Sequence, residues 1–186
     1  MAIVVVGGSG RGAGKTSFVR GLIAALPEYR WNAVKITHHV HGERKPFWEE
    51  TEPGEGTDTA RYLAAGAQRA FLVTAGDERL PIGEIRAALG SDANVIFESN
   101  RIVGVLDPNL CIGVIGGSDN EIKPSFESFL ERADALVIVA ARGIRDLHLP
   151  QSGAKVFQLA HCGRVSAEML DWLRLRLDSP RIAERA

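Results

Sequence analysis

Short runs of β-branched residues alternate along the chain with stretches where apolar residues recur every three or four positions. That alternation predicts a parallel sheet covered by helices. Ile3–Val6 reads as a first buried strand. Phe18, Val19, Leu22, Ile23 and Leu26 share one helical face, and Pro27 ends that helix. Trp31–Thr37 predicts a second strand. Residues 41–56 are rich in glutamate, proline and glycine and read as a mobile loop. Asp58 is placed to cap a short helix that runs to Ala65 and stops at Gly66. Ala70–Val73 predicts a third strand. Pro81 opens a helix with Ile82, Ile85 and Leu89 on one face and Gly90 beyond its end. Asn94–Glu98 and Leu110–Ile115 predict the fourth and fifth strands. Phe126, Phe129, Leu130 and Ala133 mark the buried side of the next helix. Ala135–Ala140 and Lys155–Leu159 predict two more strands, and Ser166 caps a last helix carrying Leu170, Leu173 and Leu177 inward. The expectation is one three-layer α/β domain over residues 1–186, with a mostly parallel sheet of about seven strands. Repeats and a linker between two cores are absent from the pattern.

Composition narrows the class. The 186 residues are 45% hydrophobic and 24% charged, with a formal net charge of −1. That apolar content is enough for a core, and the balanced charge argues against broad nucleic-acid binding. The longest clean apolar run, Leu136–Ala141, falls far short of the ~18 residues of a membrane span. No basic residue precedes the apolar start, so a secretory signal is not expected. Cys111 and Cys162 form no C-x-x-C pair, and the cytoplasm is the expected compartment. Glycine is the anomaly. There are 20, well above the ~7% average, and five fall between Gly7 and Gly14.

Those five lie in Gly7-Gly8-Ser9-Gly10-Arg11-Gly12-Ala13-Gly14-Lys15-Thr16, between a predicted strand and a predicted helix. This is the context of a P-loop. Glycines let successive backbone N–H groups turn toward phosphate oxygens, and the helix start adds its positive dipole end. Lys15 supplies a cation for the β and γ phosphates, and Thr16 a hydroxyl for Mg²⁺. Ser9, Gly10, Arg11, Gly12, Ala13, Gly14, Lys15, Thr16 and Ser17 are the expected nucleotide contacts. The strict G-x-x-x-x-G-K-[ST] pattern would place its first glycine at Ser9, so only its second half is intact.

Phosphoryl chemistry needs a further acid to hold the metal and orient the attacker. Glu98, closing an apolar strand, and Asp58, after the acidic loop, are the candidates; each has a plain alternative, as a solvated strand end and as a helix cap. Asp107 and Asp119 follow nearby. Lys35, His38, His39 and His41 close the second strand, either as metal ligands or as a polar strand end near the ligand. Arg142 and Arg145 follow the sixth strand, as phosphate contacts or solvated loop residues. Cys111 reads as core packing. The N-K-x-D motif that reads guanine is absent, so the residues leave the base open.

The motifs together resemble the molybdopterin-guanine dinucleotide biosynthesis protein B family. The likeness rests on four segments in order: the loop ending Gly14-Lys15-Thr16; Val34-Lys35-Ile36-Thr37-His38-His39; Gly56-Thr57-Asp58-Thr59 followed by Ala65-Gly66-Ala67; and Phe97-Glu98. After that glutamate the family usually reads Glu-Gly-Phe-Lys, where this chain has Glu98-Ser99-Asn100-Arg101. The resemblance implies a P-loop NTPase fold and GTP binding with Mg²⁺. It makes Lys15, Asp58 and Glu98 catalytic candidates and Thr16, Asp58 and Glu98 the magnesium residues. It also makes His38 and His39 anion contacts, and implies a homodimer that assists a cofactor-biosynthesis enzyme. The expected function is a GTP-binding, slowly hydrolysing accessory factor in molybdenum-cofactor maturation. The alternatives are an ATP-dependent small-molecule kinase, a metal-delivery NTPase using the histidines, and a nucleotide-gated adapter.

Overall fold

The computed structural model describes residues 1–38, 47–75, 80–116, 122–139 and 153–179. Eight strands form one sheet in the order β3-β4-β2-β5-β1-β6-β7-β8. They are β1 (Ile3–Gly8), β2 (Asn32–Thr37), β3 (Phe47–Glu50), β4 (Arg69–Thr74), β5 (Val95–Glu98), β6 (Leu110–Ile115), β7 (Ala135–Val139) and β8 (Lys155–Leu159). All neighbours are parallel except β3, which pairs antiparallel with β4 at the edge. The helices are α1 (Lys15–Ala25), α2 (Asp58–Ala64), α3 (Ile82–Leu89), α4 (Pro124–Leu130) and α5 (Ala167–Asp178).

Strand alternation sorts the core into two layers. Val4 and Val6 of β1 pack with Phe18, Leu22, Tyr62, Met169 and Leu173 from α1, α2 and α5. Val5, one residue out of phase, joins Phe97, Ile85, Phe126 and Phe129 on the opposite face, under α3 and α4. Cys111 is buried in that second layer, as core packing requires. The three-layer expectation therefore holds.

The chain leaves β1 toward β2 on one side, and later crosses from β5 to β6 on the other. β1 is thus a switch point, and its carboxyl end opens into the crevice where such sheets bind ligands. Register keeps that end level: Val6 pairs with Glu98 of β5 and with Ile112 of β6, and Lys35 of β2 pairs with the same Glu98.

Several expectations are corrected. Among the described residues the sheet has eight strands, because part of the presumed loop, Phe47–Glu50, is the edge strand β3. Its charge is answered across the ladder, where Arg69 of β4 grips Glu49 (Nε–Oε1 2.6 Å). Residues 51–56 lead from that strand into α2, while 41–46 lie outside the described residues. Asp58 does not cap α2; Thr57 does, its hydroxyl accepting from the Ala60 N–H at 3.0 Å, with Asp58 as the first helical residue. β1 runs on to Gly8, two residues past its apolar run. Ser166 caps α5 as expected.

Candidate functional site

β1 ends in the glycine loop and α1 begins at Lys15. The Ser9 N–H continues the β1–β6 ladder to the Val114 carbonyl (3.0 Å), and its hydroxyl donates to the Gly116 carbonyl (3.1 Å). Asn100 clamps the strand end from the other side: its Oδ1 accepts from the Gly8 N–H (2.8 Å) and its Nδ2 donates to the Gly8 carbonyl (3.1 Å). Gly14 caps α1 at φ 96°, a left-handed conformation where side chains are strained. A Cβ there would also strike the Cys162 sulfur. The first turn of α1 carries no acidic residue, so its positive end is not neutralised locally.

Lys15 folds back over the loop, its Nζ donating to the Gly10 carbonyl at 2.9 Å. Its stem lies across Gly8, where a Cβ would sit 2.6 Å from the Lys15 Cγ. Burial pulls the Lys15 pKa below its ordinary value; Glu98 opposes this, while Lys35 and Lys123 reinforce it.

Beside the loop lies a compact ionic cluster. Glu98 is only 4% exposed at the end of β5. One of its oxygens accepts from the Lys35 ammonium at 2.8 Å. The other accepts from Thr16 Oγ1 at 2.9 Å and from the hydroxyl of fully buried Tyr62. Lys35 also pairs with Asp58 and reaches Thr16 Oγ1 at 3.4 Å. Burial works to lower the Lys35 pKa, but Glu98 and Asp58 outweigh it and hold the pKa above ordinary. Burial and the Glu98 charge push the Tyr62 hydroxyl well up, so it stays a donor. Thr16, Asp58 and Glu98 thus aim oxygen atoms at one bound cation, the Lys35 ammonium. That is the donor set a hard divalent ion such as Mg²⁺ takes.

Lys15, Thr16, Lys35, Asp58 and Glu98 line a cleft of about 670 Å³, with Tyr62 buried behind Glu98. Among the described residues, six basic side chains, Arg11, Lys15, Lys35, Arg61, Arg101 and Lys123, line it against two carboxylates, Asp58 and Glu98. A chain of net charge −1 therefore concentrates positive potential at one place, which favours a polyanion. A second cavity of about 620 Å³ adjoins it, sharing Gly12, Ala13 and Ser17 and walled by Arg20, Gly21 and Ala160–Gly163. A third, of about 410 Å³, opens beyond Lys35, Thr37 and Asp58.

Of the residues singled out from sequence, Gly10–Ser17, His38, Asp58 and Glu98 all line the first cleft, with Ser9 just beneath it, 7% exposed. His38 meets Arg101 there, Nη1 to Nε2 3.1 Å. Asp107 is elsewhere: it precedes β6, where the Asn109 N–H bonds the Ile3 carbonyl at the amino end of β1, the opposite end of the strands from the loop. His39, His41, Asp119, Arg142 and Arg145 lie outside the described residues. Among the described residues, no three His, Cys, Asp or Glu side chains gather for a metal ion. Sequence reasoning missed Tyr62 and Asn100, and it gave Lys35 no partner. Lys35 stands two residues before the end of β2 and meets Glu98 because β2 pairs with β5, an adjacency that spans sixty-three residues of sequence.

Strand, glycine loop, Lys15-Thr16 at a helix start and a parallel sheet around β1 make this a P-loop NTPase fold. No family model and no curated protein matches the sequence. Solved structures do. LpxK from Aquifex aeolicus, crystallised with ATP, aligns at TM-score 0.55 and 21% identity over 85% of this chain and 53% of that one, so the chain spans about half of LpxK. A MobB protein homolog from Bacillus stearothermophilus aligns at TM-score 0.50 and 18% identity, covering 97% of this chain and 100% of that one. MobB from Bacillus subtilis follows at TM-score 0.49 and 16% identity, with 97% and 100% covered. The likeness is one of fold, and it includes the protein B type that the sequence motifs resemble. No helix among the described residues is long and apolar enough to cross a membrane.

Proposed function

We propose that the chain, as one nucleotide-binding unit over residues 1–186, binds GTP with Mg²⁺ and hydrolyses it slowly. In this reading it acts as a cytoplasmic accessory factor in molybdenum-cofactor maturation, a homodimer working with a cofactor-biosynthesis enzyme. The observation that carries nucleotide binding is the meeting of a glycine loop, Lys15, Thr16 and a buried Glu98 in one basic cleft. The phosphates occupy that cleft and the nucleoside the cavity beside it, since the two share Gly12, Ala13 and Ser17. Backbone N–H groups of the loop and the start of α1 hold the phosphate oxygens, with Lys15 across them. Thr16, Asp58 and Glu98 are the residues that would hold Mg²⁺, which supplies charge neutralisation on the phosphates. Tyr62 fixes the Glu98 carboxylate, and His38 with Arg101 borders the phosphate end.

A second reading, an ATP-dependent kinase, is favoured by the third cavity, which gives an acceptor hydroxyl room beside Asp58. The test is binding of a fluorescent GTP analogue with Mg²⁺, competed by ATP, in wild type and Lys15→Ala. GTP should compete better than ATP, and the variant should lose binding at least a hundredfold. Tight binding retained by Lys15→Ala would sink the loop assignment. ATP preference with turnover stimulated by one metabolite would replace the first reading with the second.

A further inference from the structure

Lys35 occupies an unusual position. Its ammonium is the point on which Thr16 Oγ1 (3.4 Å), Glu98 Oε1 (2.8 Å) and Asp58 Oδ2 converge. These are the oxygens that the proposed function gives to the divalent ion. The arrangement has a clear electrostatic reason. Glu98 is nearly buried and Asp58 is half-buried beside it, so without a cation two carboxylates would face each other in a poorly solvated place. A divalent ion and an ammonium cannot share the same three oxygens, because their charges repel at contact distance.

We infer that Lys35 is a built-in counter-ion that holds the metal position of the nucleotide-free protein and leaves it when a metal–nucleotide complex enters. Lysine suits this role. It is a point charge on a flexible four-carbon stem, so its head can move while its backbone stays in the β2 ladder. It also has somewhere to go, since Lys35 lines the same cleft as Gly10, Lys15 and Lys123, where the polyphosphate would lie. The ammonium exchanges two carboxylates for phosphate oxygens, and the carboxylates exchange an ammonium for the divalent ion. Each exchange requires the other, so metal and nucleotide strengthen one another's binding, and either alone binds weakly. The cluster is then a device against futile occupation by metal without nucleotide. This inference rests on the reading of Thr16, Asp58 and Glu98 as metal ligands.

The experiment is Mn²⁺ binding to the nucleotide-free full chain, followed by the electron paramagnetic resonance signal of free Mn²⁺. It is run in wild type, Lys35→Met and Lys35→Gln, with and without a non-hydrolysable nucleotide. The variants should bind Mn²⁺ at least tenfold tighter than wild type without nucleotide and show a smaller gain when nucleotide is added. Lys35→Gln carries the test if Lys35→Met does not fold. In wild type, pulse acetylation read by mass spectrometry should modify Lys35 severalfold faster once Mn²⁺ alone fills the site, because the ammonium has been released. Variants that bind Mn²⁺ no tighter than wild type overturn the inference while leaving the metal ligands in place. So does unchanged Lys35 reactivity at filling concentrations. Absence of Mn²⁺ binding in every protein, with nucleotide as well as without, overturns the metal reading and this inference with it.

Discussion

The Tyr62–Glu98 contact offers a sharp test of how the site is held. Tyr62 is fully buried in α2 and donates its hydroxyl to a carboxylate that is itself 4% exposed. Tyr62→Phe removes that donor together with the hydroxyl's contact to Thr16. A hydrogen bond to a buried charged group contributes about 1.5–3 kcal/mol, against roughly 1 kcal/mol for a neutral pair. The Phe variant should therefore lose about 2 kcal/mol, or on the order of 4–8 °C in thermal midpoint for a chain of this size. The assay is urea unfolding of the nucleotide-free protein, run as a double-mutant cycle with Glu98→Gln, which keeps the shape and removes the charge. Coupling near 1 kcal/mol or more is expected. The pH dependence has a definite sign. Tyr62 has a folded pKa raised above its ordinary 10.0, so its contribution is complete below about pH 10 and declines only as pH rises through the folded value. The wild-type advantage should be flat from pH 6 to pH 9. A loss under about 0.5 kcal/mol, or coupling indistinguishable from zero, would mean that Tyr62 merely packs and does not fix the carboxylate.

Three further outcomes follow from the same geometry. Gly14→Ala should destabilise by about 1–3 kcal/mol through the left-handed φ of 96° alone, and by more because of Cys162; adding Cys162→Ala should recover only the steric part, as read by thermal unfolding. Lys15→Met should raise the thermal midpoint of the nucleotide-free protein by roughly 2–4 °C, since burial and two neighbouring lysines disfavour the charge there; a lower midpoint would contradict that reasoning. On the acid side, the Arg69 hydrogen bond holds the Glu49 pKa below its ordinary value. Its stabilising contribution is therefore present above about pH 4.5 and lost as pH falls through the depressed value, so Glu49→Gln should show a shallower loss of stability between pH 5 and pH 3.

Much of this architecture was legible because it is written locally. Phe18, Leu22 and Ile23 fall on one helical face whatever surrounds them, and the glycine loop announces itself in ten consecutive residues. β3 was not legible. Phe47-Trp48-Glu49-Glu50 is short and half charged, and its strand partners come from β4, later in the chain: the backbone ladder, the Phe47–Phe71 stack and the Arg69–Glu49 pair. Asp58 looked like a cap by residue type, yet Thr57 one position earlier already fills that place. Within the site, contiguous residues were readable and convergent ones were not. Tyr62 sits in α2 on a face that reads as ordinary core, and nothing near it in sequence says that its hydroxyl meets Glu98 thirty-six residues on. Asn100 reads as a polar residue after a strand, while its work is to clamp Gly8, ninety-two residues earlier.

The two lysines of the cleft divide the electrostatic problem of binding a polyanion. A site that is only positive would repel its own parts before the ligand arrives, and one neutralised by fixed acids would bind phosphate poorly. Here Lys15 lies on a backbone carbonyl with its charge disfavoured by burial, a cost that phosphate oxygens would relieve under the proposed function. Lys35 is the reverse, a cation held by two carboxylates, which under the inferred exchange would pass to the metal. Under that proposal the first arrangement would favour any phosphate, and the second phosphate that arrives with a metal. Discrimination between a bare anion and a metal-bound nucleotide can therefore reside in the ammonium of a strand-end lysine, without any residue that reads the base.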